Sequence, residues 1–219
     1  MAEALVDLWV RDTAVDPDPG QDGSDAGSLD EHERERWSRL TDASAARAYL
    51  ALHLLARSEV GRLLGRPPGS LRFDRTCPDC DRQHGRPLLV DDPGLHLSLS
   101  RAGTVVALAL SRSGAVGVDV EQGAGTRFEG FGQVALHPSE REGGVDNALA
   151  WVRKEACLKA LGVGLRVEPA SFVTPRAGVL TEVVGGMPSL TVVDIDAPAG
   201  CAAAVALVSR PGPFEVRHH

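Results

Sequence analysis

Twice along the chain a stretch with helical periodicity is followed by a series of short apolar runs. That repeated order restricts the fold more than any single residue does. Residues 2–10 alternate as a strand (Ala4, Val6, Leu8, Val10), and the Asp/Gly/Pro/Ser-rich stretch 12–30 reads as a loop. From Asp30 to Gly65 the pattern turns helical, in two pieces with a break near Thr41-Asp42-Ala43-Ser44, and Gly65-Arg-Pro-Pro-Gly69 ends it. A short strand at Leu71–Asp74, a loop over Cys77–Pro87 and a hairpin of Leu95–Ser100 with Thr104–Leu110 follow. The order then recurs. A strand at Ala115–Glu121 and a poorly patterned stretch 123–137 lead to a helix over about 145–161. Four apolar runs, 171–174, 178–184, 188–194 and 201–208, read as strands of an antiparallel sheet. Helices followed by runs of strands predict an α+β fold of two halves, 1–112 and 113–219, rather than a βαβ alternation.

The 219 residues suffice for one large domain or two small ones. No apolar run approaches the ~20 residues of a membrane span, and no basic-then-apolar leader opens the sequence, so a soluble cytoplasmic protein is expected. The net charge of −7 is concentrated at the start: residues 1–30 hold eight acids against Arg11, and the remainder is neutral. Twelve arginines between Arg34 and Arg101 give a modest cationic surplus. That suits a small polyanion better than nucleic acid, which would need a stronger basic stripe. Neither G-x-G-x-x-G nor G-x-x-x-x-G-K-[ST] is present, which removes Rossmann and P-loop chemistry.

Against 21 arginines stand two lysines, Lys154 and Lys159, both in Trp151-Val-Arg-Lys-Glu-Ala-Cys-Leu-Lys-Ala-Leu161. Lysine is a compact point charge where arginine is a planar fork, and the two do not interchange at phosphate sites. On that helix Leu149, Val152, Ala156 and Ala160 form an apolar stripe, with Glu155 and Lys159 stacked on its flank. Upstream, Gly117-Val-Asp-Val-Glu121 puts Asp119 and Glu121 on one strand face, with Val118 and Val120 opposite. Paired carboxylates repel unless a cation lies between them, and a hard divalent ion such as Mg²⁺ is a usual answer. Cys77-Pro-Asp-Cys80 with His84 has the first half of a zinc-ribbon spacing. No second half follows, which favours a turn-rich loop with reduced thiols over zinc.

These two segments together resemble the paired signature of 4′-phosphopantetheinyl transferases of the surfactin-synthetase-activating type, G-[IV]-D-[IV]-E and then W-x-x-K-E-[AS]-x-x-K-x-x-G-x-G-[LF]. Every fixed position matches, through Gly162-Val-Gly-Leu165. The resemblance runs from the Arg47 helix to that turn and is weakest in the first 30 and last 40 residues. It implies two similar subdomains in a pseudo-twofold arrangement, each an antiparallel sheet on a long helix, with coenzyme A between them and a monomeric chain. It further implies Mg²⁺ at Asp119, Glu121 and Glu155, catalytic roles for Glu155 and Lys159, and phosphate contacts from Lys154 and Lys159. Arg47, Arg86 of Gly85-Arg-Pro87, Ser100 and Arg101 complete the coenzyme A set. Arg101 stands where the family carries histidine in a Ser-His-Ser-Gly turn, so a permanent cation replaces a titratable one. In Ala135-Leu-His-Pro-Ser-Glu140 the family's glutamate is kept and its aromatic is absent. An acyl or peptidyl carrier protein is expected to dock near Phe128, Phe131 and Leu136. The implied reaction moves the 4′-phosphopantetheine arm of coenzyme A to a carrier serine. The alternative is a non-catalytic protein that binds Mg²⁺ and coenzyme A on the same scaffold.

Overall fold

In β5 (Val105–Ser111) every side chain is buried, and this double-sided burial sets the layering. Val105, Ala107 and Ala109 enter one apolar cluster, while Val106, Leu108 and Leu110 enter another, as a period of two requires. The computed structural model describes residues 4–15, 24–80, 82–208 and 214–219; part of the loop expected over 12–30 lies outside the described residues. The first sheet runs β4 (His96–Ala102), β5, β1 (Ala4–Asp12), β9 (Phe214–His218). The second runs β6 (Val116–Gln122), β8 (Cys201–Val208), β7 (Leu190–Asp194). β2 (Phe73–Thr76) and β3 (Gln83–Leu89) form a separate antiparallel hairpin.

The two large sheets meet through Val6, Leu8, Ala107, Val118, Val205 and Leu207. On the outer face of the first lies α2 (Ala43–Leu64), through Ala48, Leu52, Ala56 and Val60. On the outer face of the second lies α4 (Asn147–Leu161), through Val152, Ala156 and Ala160. The fold is therefore α+β, layered helix–sheet–sheet–helix. Both long helices are bounded as their sequences require. Asp42 accepts from the Ala45 N–H and Asp146 from those of Ala148 and Leu149. Gly65 (φ 64°) and Gly162 (φ 71°) close the C-termini in the left-handed region. The break expected near residue 42 separates α2 from α1 (Glu31–Ser38).

Several expectations need correcting. Cys77–Pro87 is not all loop, because β3 starts at Gln83 and pairs with β2. Of the four C-terminal apolar runs two become strands. The runs at 171–174 and 178–184 do not, beyond a single bridge from Thr181 to Leu190. Pro169, Pro175, Gly178, Gly185 and Gly186 interrupt them, and Val173 and Val179 stay exposed. β9, absent from the sequence reading, pairs parallel with β1, so the tail crosses the division at 112/113 and the first sheet is mixed. The N-terminal arginine surplus is largely paired internally. Arg57 and Arg75 are buried against Asp30 and Glu33, Arg66 and Arg72 meet Asp91, and Arg112 meets Asp92. Among the described residues no helix is long and apolar enough to cross a membrane.

Candidate active site

The site begins where a strand lies directly on a helix. A Cβ at Gly117 would fall 2.0 Å from the Ala156 carbonyl oxygen and 2.4 Å from the Ala160 nitrogen, so β6 approaches α4 only because residue 117 has no side chain. Gly117→Ala is accordingly expected to destabilise the fold by about 3 kcal/mol or more, since backbone on both sides must move. Chemical denaturation checks it. A loss below about 1 kcal/mol would mean the strand can lift from the helix without consequence.

That approach sets Asp119 beside the helix flank carrying Glu155 and Lys159. Lys159 Nζ donates to Asp119 Oδ1 (2.6 Å), the Val118 carbonyl (3.1 Å) and Ser100 Oγ (3.1 Å). All three ammonium donors are used. β4 completes the arrangement. The Val118 and Val120 N–H groups, on the free edge of β6, donate to Ser98 Oγ (3.0 Å) and Ser100 Oγ (3.2 Å). Serine hydroxyls two residues apart thus take the place of a ladder between the sheets. Ser100 Oγ in turn donates to Asp119 Oδ1 (2.8 Å).

The charges at this junction are incompletely balanced. Glu155 Oε1 is buried without a hydrogen-bond partner. Burial, then the Asp119 carboxylate, pushes the Glu155 carboxyl above its ordinary range, against the pull of Lys159. Glu121 is also raised, chiefly by burial and further by Asp119, although its Oε1 accepts from the Gln122 N–H (2.8 Å). Two acids that resist ionisation around a third carboxylate have the chemistry of a cation site. The buried, partnerless Glu155 oxygen gives such an ion a ligand atom that nothing else satisfies. The three carboxylates do not yet converge. Among the described residues the trio of ligand atoms lying within 4.8 Å of one another is that of Cys77, Cys80 and His84. Asp119 Oδ1 is held by Lys159 instead.

A cleft of about 690 Å³ opens beside this junction, lined by Arg86, Ser98, Lys159, Gly162, Gly164 and His84 among others. Arg86 reaches from β3 to the end of α4, where its Nη1 donates to the Ala160 carbonyl (3.2 Å) and a helix C-terminus favours a cation. Its Nε and Nη2 are buried without partners, and burial pulls its pKa down. Unpaired buried donors on a guanidinium are unfavourable, and an anionic oxygen would relieve that penalty.

The other expected residues are placed differently. Arg101 is exposed, with Nη1 donating to the Ala45 carbonyl (3.3 Å) in the first turn of α2, close in sequence to exposed Arg47. Neither lines the cleft holding Arg86 and Lys159. Lys154 does not meet the cleft at all, which corrects its reading as a phosphate ligand. It is fully buried, with Nζ 2.8–3.0 Å from the carbonyls of Ala135, Pro169 and Phe172 and 3.0 Å from Glu140 Oε2. Desolvation lowers its pKa, and Glu140 opposes that shift. Glu140 also accepts from the Thr174 N–H (2.7 Å) and the His137 N–H (3.0 Å). The pair pins residues 135–140 and 169–174 onto α4, and a compact ammonium fits where a planar fork would not. Among the residues expected to dock a carrier, Phe131 and Leu136 are core, packed with Ala135 and Ala150. Phe128 and Val134 remain exposed.

Residues 115–198 match the family model of the 4′-phosphopantetheinyl transferase superfamily. The matched segment runs from β6 through β7 and contains Asp119, Glu121, Lys154, Glu155 and Lys159. Arg86 on β3 and Ser100 on β4 lie outside it. No curated protein matches the chain.

Proposed function

We propose that this transferase moves 4′-phosphopantetheine from coenzyme A to a serine of an acyl or peptidyl carrier protein, releasing adenosine 3′,5′-bisphosphate, in the manner of the surfactin-synthetase-activating type. One observation carries the reading: Lys159, paired with Asp119, and Arg86, with two partnerless buried nitrogens, line a single cleft, and the buried, partnerless Glu155 oxygen belongs to the helical turn before Lys159. A cationic cleft with a carboxylate cluster beside it suits a metal-bound pyrophosphate.

Asp119, Glu121 and Glu155 would hold Mg²⁺, which when bound would offset the charge that develops as the P–O–P linkage of the pyrophosphate opens. Lys159 donates to the departing phosphate after exchanging one of its three present acceptors. Arg86 directs its free donors at the phosphates and, unlike a lysine, can grip two oxygens at once. Serine Oγ attacks the phosphorus bearing the pantetheine arm, the P–O bond to the nucleotide phosphate breaks, and the serine proton passes to Glu155, directly or through water. With Mg²⁺ bound, the Glu155 carboxylate is favoured in its ionised form, the form able to accept a proton. Arg47, on α2, and Arg101, on β4 against the first turn of α2, would meet the adenosine-phosphate end, and Phe128 and Val134 the carrier.

Product analysis tests the proposal. Incubated with coenzyme A, Mg²⁺ and an apo carrier protein, the chain should release adenosine 3′,5′-bisphosphate in proportion to carrier. A carrier lacking its acceptor serine should release none. Coenzyme A binding without nucleotide release from any carrier supports the non-catalytic alternative.

The carboxylate environment makes a second prediction. A glutamate whose folded pKa is raised contributes stability that is fully present below its unfolded value, ~4.3, and is lost as pH rises through the folded value. Glu155→Gln removes that loss. In Mg²⁺-free buffer at neutral pH the variant should melt about 3 °C above the parent, and the gap should close as pH falls toward ~4. Equal melting temperatures at neutral pH would place Glu155 in a relaxed, solvated setting.

A further inference from the structure

Thirty residues before β6, the β2–β3 hairpin carries a cluster that the transfer chemistry does not use. We propose that Cys77, Cys80 and His84 bind a zinc ion that clips this hairpin at the mouth of the cleft. The three ligand atoms lie within 4.8 Å of one another, although the sequence separates them by a turn and a strand start. The turn is tied by its own backbone: the Cys77 N–H donates to the Arg82 carbonyl (2.8 Å) and the Cys80 N–H to that of Cys77 (3.4 Å). His84, on β3, then faces back over the turn, with Nε2 3.0 Å from Cys80 Sγ.

Tetrahedral zinc holds a thiolate and an imidazole nitrogen roughly 3.6 Å apart, so this pair must open by about 0.5 Å. Cys80 and His84 are both exposed, so nothing packed against them resists that movement. Arg82 donates Nε–H to Cys80 Sγ (3.4 Å), a contact that favours the thiolate a metal requires. The fourth position would fall to water, or to Asp79 after its side chain rotates. Its Oδ2 is 4.0 Å from Cys77 Sγ, and its other charged partner, Arg166, is a loose 3.7 Å away. Two thiolates and an imidazole within reach of one ion select zinc over the hard cation suited to the all-carboxylate site.

The hairpin needs such a clip. A two-stranded ribbon is marginal by itself, and this one has an irregular register between Asp74 and Thr76. Arg86, two residues beyond His84, depends on the hairpin for its place against α4. Zinc here would hold the cationic wall of the cleft without touching the reacting atoms.

Elemental analysis of the full-length chain, stripped with chelator under reducing conditions and dialysed against zinc, tests the proposal. About one zinc per chain is expected, and cobalt(II) in its place should give the strong visible bands of tetrahedral thiolate coordination. Cys80→Ser and His84→Ala, at exposed positions, should each abolish those bands while leaving circular dichroism unchanged. Cys201→Ser, on β8, should keep them. Negligible zinc uptake would overturn the proposal, as would metal retained in both ligand variants or a Cys77–Cys80 disulfide in the unreduced protein.

Discussion

Glu155→Gln is expected to lower kcat for phosphopantetheine transfer by about 10²–10⁴-fold, the range associated with losing a positioned proton acceptor. The same change should leave the chain folded, and better folded than the parent at neutral pH. Glutamine is close in shape to glutamate and removes the buried charge that Asp119 opposes. Activity and stability thus move in opposite directions in one variant, as expected where an active site holds an unfavourable charge for use. Lys159→Arg offers a comparison at the neighbouring position. A surface partner for Glu155 would tolerate arginine with an effect near ~0.5 kcal/mol or less. An ammonium fitted between Ser100, Asp119 and the Val118 carbonyl has no room for a planar fork, and kcat should fall at least about tenfold. Single-turnover kinetics at saturating carrier protein measure both. Wild-type kcat in Glu155→Gln would remove the proton-accepting role, and wild-type kcat in Lys159→Arg the phosphate role.

Lys154→Ala should fail differently, through stability. Removing the ammonium strands Glu140 and three carbonyls in a buried setting, and breaking one partner of a buried ion pair typically costs about 3–5 kcal/mol. Lys154→Met fills the volume but leaves the same acceptors unpaired, so it should recover only part of the loss. The double change Lys154→Met with Glu140→Gln removes both charges and should recover more. Urea denaturation of the three variants orders them, and coenzyme A affinity of the folded fraction should stay near that of the parent. A Lys154→Ala chain of normal stability with weakened coenzyme A binding would return Lys154 to the phosphates.

The fates of the two lysines show what the sequence could and could not reveal. Lys159 follows from spacing: four residues after Glu155 on a helix whose apolar stripe is legible, it must share that residue's flank. Lys154 lies on the same helix, but what surrounds it comes from residues 135–140 and 169–174, which no local pattern brings together. Asp119 and Glu121 were legible because a strand alternates, whereas the close helix–strand approach at Gly117 shows only in the folded chain. Phe131 and Leu136 misled because a short apolar stretch reads alike whether it faces a partner or a core. β9 was hidden for a related reason. Its pairing with β1 spans nearly the whole chain, and five residues of mixed polarity carry little signal of their own. Spacing grouped His84 with the cysteines, but its closeness to Cys80 follows only from β3 folding back over the turn.

Intact-mass spectrometry of an apo carrier protein, incubated with the chain, coenzyme A and Mg²⁺, tests the central claim most directly. The predicted result is a gain of one 4′-phosphopantetheine per carrier, located on a serine by fragmentation, with none in the presence of a chelator and little with Glu155→Gln. A carrier mass that never changes, from a chain that is folded and binds coenzyme A, would contradict it.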